Sequence, residues 1–331
     1  MKKRTIFFLF VIITTMLLTS CSSGVYTEEL TEDQVNHEQK ETLETDDVGV
    51  EYNSIDFSKY NSDNYIIGIL GYSDSAPVSA KYGALTKIYD EDLYKDISPS
   101  AEKTIKIGGE EIKGYYDVTY YRLNNYFPCY MYKIPDNGGY FSLDEMGKIG
   151  GYINYKNKAD NTETLTEDKY ISIAKDFVED ALKEEKIDWS LFKTEVQKDR
   201  EFKGYITVVF DRYLGGMKTT ESIYVELTYS GKVSAFSSDM LGRIPADLDL
   251  SVFESKNVEA SVYKRLDEIY SGLSKETRDK YKIRYYLPEP VLSVLADGTP
   301  CFIYDANVGF KPVDNQDGYS DLVRIMVTPT E

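Results

Sequence analysis

Two stretches of this chain spell out the same order of elements, a helix followed by four short strands, and that repeat constrains the fold more than anything else in the sequence. In the first, Thr164 with Glu167 three residues on has the form of a capping box. Tyr170, Ile173, Ala174, Phe177, Ala181 and Leu182 then recur at helical spacing, so one face of that helix is expected to be buried. Strand-like runs follow at 192–197, 204–213, 222–229 and 232–237. In the third, Ile223, Val225, Leu227 and Tyr229 alternate with Ser222, Tyr224, Glu226 and Thr228, the pattern of a sheet covered on one face. Leu214-Gly215-Gly216 and Ser230-Gly231 supply the backbone freedom that tight hairpins require.

The order returns after Pro245. Ser255 is placed to cap a second helix, with Val258, Val262, Leu266, Ile269 and Leu273 as its buried stripe. Strands are expected at 281–287, 291–296, 301–310 and 319–327, with Asp297-Gly298 as a hairpin turn. Ahead of both, Tyr65 to Leu70 has the form of a short buried strand, and Gly108-Gly109 closes a hairpin between strands at 104–107 and 112–123. The run 126–134 continues this unit, with Pro128 pushing it toward a sheet edge. A turn at Asp144-Glu145-Met146-Gly147 then precedes a strand at 148–155.

The fold class expected is therefore α+β: two or three small units, each an antiparallel sheet packed on one helix. The expected domains are a leader at 1–20, an acidic tether at 21–60, a mostly β unit at 61–158, and helix-plus-sheet units at 159–246 and 247–331.

The first residues give an address. Lys2, Lys3 and Arg4 precede an apolar run from Thr5 to Leu18, shorter than the about 20 residues a spanning helix needs, so the segment has the form of a secretory signal. Leu18-Thr19-Ser20-Cys21 resembles the lipobox of bacterial lipoproteins. That resemblance implies cleavage before Cys21, lipid attachment at its thiol, and a mature protein held at the extracytoplasmic face of the cell membrane by two or three acyl chains. One acyl chain binds only marginally, whereas two anchor stably.

Between Ser22 and Ser58 the acids Glu28, Glu29, Glu32, Asp33, Glu38, Glu41, Glu44, Asp46, Asp47, Glu51 and Asp56 face Lys40 alone, the composition of a disordered, self-repelling stalk. The formal charge is −18, and loss of the leader makes it three units more negative. Such a body repels nucleic acid and anionic headgroups. Its expected partners are the membrane, through the lipid, and an envelope protein, peptide or wall glycan.

Phe210-Asp211-Arg212-Tyr213-Leu214-Gly215-Gly216-Met217, with Ile223-Tyr224-Val225 and Ser230-Gly231-Lys232-Val233, is similar to the PepSY-type and cystatin-like repeats of secreted bacterial proteins. The resemblance covers about residues 160–240 and, more loosely, 250–331. It implies a non-catalytic binding or inhibitory module, and it carries over no catalytic residue.

The side chains exclude several chemistries. His37, in the tether, is the sole histidine, so the folded part cannot assemble a Ser-His-Asp triad or a two-histidine zinc helix. Ser-x-x-Lys occurs at Ser100/Lys103, Ser172/Lys175, Ser190/Lys193 and Ser261/Lys264, but the Lys-Thr-Gly that accompanies it in serine–lysine enzymes is missing. No cofactor and no metal is expected. Asp314 to Asp321 gathers oxygen donors, yet it departs from EF-hand spacing and has the composition of a turn between strands. Cys129 and Cys301 are either buried thiols or, in an exported protein, a pair.

Thirty tyrosines against one tryptophan suit half-buried strands. A binding module of this composition would turn some of Tyr115, Tyr116, Tyr120, Tyr121, Tyr130 and Tyr132 to solvent. Two alternatives stay open: a histidine-free hydrolase of wall polymers, which needs a deep pocket with a perturbed carboxylate, and an envelope-assembly or sensory lipoprotein with an exposed apolar patch.

Overall fold

A computed structural model of the chain describes residues 50–51, 65–72, 98–122, 127–160, 162–198, 204–239, 241–251, 253, 255–295, 297–314 and 318–330. The leader, Cys21, His37 and most of the expected tether lie outside the described residues. The chain divides into two compact units, one drawn from Met1–Lys87 with Asp247–Glu331 and one from Ile88–Ala246.

The Ile88–Ala246 unit is one antiparallel sheet. Its strands are β3 (Glu102–Ile107), β4 (Glu110–Arg122), β5 (Phe127–Ile134), β6 (Gly139–Asp144), β7 (Ile149–Asn154), β8 (Phe192–Lys198), β9 (Tyr205–Leu214), β10 (Met217–Thr228) and β11 (Val233–Asp239). They pair in the order β3-β4-β5-β6-β7-β11-β10-β9-β8. Helix α1 (Glu167–Ala181) buries Tyr170, Ala174, Val178 and Ala181 against one face. It starts from Thr166 without a side-chain cap, so the Thr164/Glu167 capping box does not form.

Under α1 the register sets an aromatic row, Tyr132 opposite Phe141 opposite Tyr152 opposite Phe236. The rings of Tyr132 and Phe141 stack at 5.1 Å, and Phe177 of the helix meets Phe236 at 5.6 Å. Tyr170 Oη donates to the carbonyl of Tyr229 at 2.9 Å and accepts from Leu165 N at 3.0 Å, which ties the start of the helix to the sheet.

The other unit contains β1 (Val50–Glu51), β2 (Tyr65–Tyr72), β12 (Tyr281–Tyr286), β13 (Val291–Val294), β14 (Pro300–Pro312) and β15 (Tyr319–Pro329), with helices α2 (Ser255–Ser271) and α3 (Lys275–Lys280). Strand β14 carries β12 and β13 along one edge and β15 along the other; β1 pairs with β12, and β2 with β15. Helix α2 covers one face, its Tyr270 ring 5.5 Å from Phe310 and 5.9 Å from Tyr285.

These pairings overturn the expected α+β arrangement of two or three small units, each with its own sheet on one helix. The protein is dominated by sheet, and strands assigned to different units pair with one another. β7 joins β11, with Ile153 opposite Ala235 and Gly151 opposite Ser237, so the strands of 98–155 and 192–239 share one sheet and one helix. β2, expected to open the 61–158 unit, pairs with the last strand, Ile67 opposite Val327. The reason is the cost of an open edge: separate small sheets would each expose a row of unpaired N–H and C=O groups, which joining removes. Pro128 likewise sits on β5, an inner strand between β4 and β6 rather than an edge, at its second residue.

Candidate functional site

The face of the Ile88–Ala246 sheet opposite α1 carries a row set by the ladder, Tyr115 opposite Lys133, Lys133 opposite Tyr140, and Tyr140 opposite Ile153. A bulge between Tyr116 and Val118 interrupts β4. It keeps Tyr115 and Val118 on this face, 48% and 40% exposed, and turns Tyr116 toward the helix-covered side. There the Tyr116 ring meets Tyr132 edge-on at 6.1 Å, and its hydroxyl bonds Thr119 Oγ1 at 2.8 Å. Lys113 reaches over the Tyr115 ring at 5.4 Å while its Nζ pairs with Glu102 at 2.8 Å.

Tyr155 lies edge-on to Tyr140 at 6.0 Å. Burial, with Tyr140 adding, pushes the Tyr155 phenol up to about 12, and burial followed by the charge of Asp117 raises Tyr140. Both rings therefore stay neutral near pH 7 and offer a stacking face with a hydroxyl tip, flanked by exposed Lys133 and Asp117.

The tyrosines expected at a binding surface thus divide. Tyr115 faces solvent, Tyr116 is a partly exposed rim, and Tyr120 is half-buried. Tyr130 and Tyr132 are core residues, 7% and 1% exposed, and the Tyr121 side chain lies outside the described residues. Sequence reasoning missed Tyr140 and Tyr155. The signal that finds them is register, since Tyr140 shares a face with Tyr115 only once β5 is placed between them.

A cavity of about 30 Å³ opens in the same unit among Cys129, Asp144, Lys148, Glu185, Ser238 and Arg243. That volume holds a water or two and no sugar ring or peptide. Its charges pair among themselves. Lys148 Nζ lies 2.8 Å from Glu185, Arg243 bonds Glu145, and Asp144 Oδ1 accepts from the backbone N–H of Lys148 and Met146 at 2.8 and 2.9 Å.

Burial raises the Asp144 carboxyl above the usual carboxylate range and Glu145 adds to it, against the lowering pull of the two N–H groups and Arg243. The folded state therefore holds this proton to higher pH than the unfolded chain. Its stabilising contribution is complete below the ordinary carboxylate value and is lost as pH rises through the raised one. Asp144→Asn removes that loss. The urea midpoint of the variant relative to wild type is expected to rise between about pH 3 and about pH 7, and a constant difference would refute the assignment.

The remaining candidates are not brought together. Asp321 is 1% exposed and lies opposite Val308, while its neighbour Ser320 points to the other face of β15, and 315–317 lie outside the described residues. Among the described residues no group of three or more His, Cys, Asp or Glu side chains is placed to hold a metal. Cys129 and Cys301 are buried thiols that are not joined in a disulfide. Of the Ser-x-x-Lys pairs, Ser190 gives its hydroxyl to Asp188 at 2.6 Å, whereas Lys193 lies 3.7 Å over the Tyr213 ring and Lys175 5.1 Å over Trp189. No helix among the described residues is long and apolar enough to cross a membrane. No protein-family model matches the chain, and no curated protein matches its sequence.

Proposed function

We propose that the protein is a non-catalytic binding module, anchored by lipid at Cys21 to the extracytoplasmic face of the cell membrane, that presents the Tyr115–Tyr140 face to a peptide or wall glycan. The observation that carries the binding reading is the row Tyr115, Lys133, Tyr140, Ile153 on the sheet face opposite α1, with Tyr115 48% exposed, since aromatic rings held on a rigid sheet are the anchors through which such a surface binds. The anchor reading is supported by the basic start, the apolar run and Leu18-Thr19-Ser20-Cys21. Binding is favoured over hydrolysis because the cavity beside Asp144 admits only water and its carboxylates are engaged by Arg243 and Lys148.

Two measurements test this. Cys21→Ala is expected to abolish incorporation of a palmitate analogue and to move the full chain from the membrane to the soluble fraction; unchanged labelling would sink the anchor. Tyr115→Ala, at an exposed position, is expected to weaken retention of the detergent-solubilised protein on wall fragments or envelope peptides by about tenfold, a typical cost for a central interface tyrosine. Equal retention would remove this face from the function.

A further inference from the structure

Strand β4 puts apolar side chains into water by a specific device. Continued in step from Tyr116 opposite Tyr132, the ladder would set Asp117 opposite Met131 and Val118 opposite Tyr130, on the side covered by α1. The bulge at Asp117 reverses this: Val118 stands opposite Met131 on the other face, and Thr119 takes the place opposite Tyr130. Val118 and Tyr115 are left 40% and 48% exposed on that face. A bulge interrupts the ladder and serves to re-aim side chains, often beside a functional site. Here it trades a buried valine for an exposed one, which the burial of apolar surface does not favour.

The row through Tyr115 has a cation at its centre. Lys133, on β5, stands opposite Tyr115 on one side and Tyr140 on the other. It is exposed and forms no ion pair among the described residues, whereas Lys113, on the same face, is paired with Glu102 at 2.8 Å. Asp117 lies near enough for its charge to help raise the Tyr140 phenol, yet it makes no ion pair with Lys133. Tyr140 is half-buried, and its ring is held edge-on by Tyr155 at 6.0 Å. The accessible part of the row ends there, since Ile153 is half-buried and Ala235, opposite it, is 3% exposed. Tyr115 and Tyr140 are thus two strand spacings apart, about 10 Å, with one uncompensated cation between them.

We propose that this row binds an extended glycan carrying a carboxylate on every second sugar, with alternate rings against Tyr115 and Tyr140 and the acid of the ring between them against Lys133. The inference rests on the binding reading of this face given above and narrows its ligand to one class. Two sugar rings of an extended β-1,4-linked chain span about 10 Å, the separation of the two tyrosines. Successive rings of such a chain are turned over, so alternate rings offer the sheet the same side. A sugar presents an apolar C–H face to a phenol ring and hydroxyls to its tip, and the carboxylate supplies the charge-assisted bond that Lys133 lacks. An extended peptide brings side chains to one face every about 7 Å, out of step with the row, and it gains affinity from main-chain bonds that a sheet edge offers and a face does not. A nucleic-acid strand is repelled by the formal charge of −18.

The test is calorimetric titration of the full chain in non-ionic detergent with three probes: a peptide-free wall tetrasaccharide with its lactyl carboxylates intact, chitotetraose as the same kind of amino-sugar backbone without carboxylates, and poly-glutamate. The carboxylated sugar is expected to bind about tenfold more tightly than chitotetraose, and poly-glutamate more weakly than either. Lys133→Ala should remove the preference by weakening the carboxylated sugar alone, Asp117→Asn should tighten that sugar about threefold, and Tyr115→Ala should weaken both sugars about tenfold. A gain of affinity in Asp117→Asn cannot come from a damaged fold. Equal binding of the two sugars by wild type, a Lys133→Ala or Asp117→Asn protein with the wild-type preference, or poly-glutamate bound as tightly as the carboxylated sugar would overturn the acid-bearing glycan, while an effect of Tyr115→Ala would keep the binding face. No binding of either sugar, or sugars bound by Tyr115→Ala as by wild type, would overturn the face and the inference together.

Discussion

Replacing Glu221 with alanine will lower the stability of the Ile88–Ala246 unit by about 3–5 kcal/mol, the usual result of breaking a buried ion pair from one side. The carboxylate is fully buried, placed by a bulge in which Thr219 to Glu221 stand across from Arg212 alone. Arg212 Nη1 pairs with Glu221 Oε2 and also donates to the carbonyl of Ile244 at 2.8 Å. Glu221 Oε1 accepts from the backbone N–H groups of Arg243 and Ile244, each at 2.7 Å. One carboxylate thus neutralises a buried guanidinium and fixes the chain that leaves β11. Alanine strands the Arg212 charge and orphans two N–H donors at once, and each loss carries a desolvation cost.

For a unit of this size that loss corresponds to a fall in melting temperature on the order of 10 °C. Arg212→Met combined with Glu221→Leu should recover much of it, because an apolar pair leaves no uncompensated charge. Circular dichroism melts of the single and double variants check both statements. A single variant within 1 kcal/mol of wild type (about) would show that water reaches the pair.

The same hairpin shows what the sequence made legible and where it stopped. Alternation in 222–229 correctly identified β10 and its inner residues Ile223, Val225 and Leu227, all 0% exposed. The partners expected to face water are buried too: Ser222 at 2%, Tyr224 at 3% and Thr228 at 0%. Ser222 and Thr228 are satisfied locally, by Asp211 Oδ1 and Ser230 Oγ at 2.9 Å each, so a polar residue at alternate positions did not mark a solvated face. Local signals did locate turns, with Gly108-Gly109, Gly215-Gly216, Gly231 and Gly298 all at positive φ. Strand partners were not legible. Nothing local in Tyr152 or Phe236 says that β7 lies beside β11, because periodicity records which face is buried and carries no address.

The candidate site followed the same division. Tyr115 was recognisable as an aromatic on a hairpin strand, whereas its companionship with Tyr140 across β5 exists only in the register.

Gly139→Ala is expected to cost about 3–5 kcal/mol, combining a backbone region closed to side chains with a hard clash. The β5–β6 hairpin turns through Pro135-Asp136-Asn137-Gly138, with Asp136 and Asn137 at φ 55° and 54° and Gly138 N bonded to the Pro135 carbonyl at 2.9 Å. These angles at both central residues match the right-handed twist of the flanking strands, and Asp and Asn tolerate them best after glycine. The chain then enters β6 at Gly139 with φ 117°. There it pairs with Ile134 on one side and Asn154 on the other, and a Cβ would stand 1.9 Å from the carbonyl oxygen of Ile153. That oxygen belongs to the backbone of β7, so no rotamer change relieves the overlap, and either β6 or β7 must move. Displacement there reaches the candidate site directly, because Ile153 and Tyr140 are neighbours in the same row. Gly139→Ala should therefore lower the urea midpoint and weaken ligand retention together, whereas Tyr115→Ala should weaken retention alone. A Gly139→Ala protein with wild-type stability would show that β6 enters the sheet by a different path.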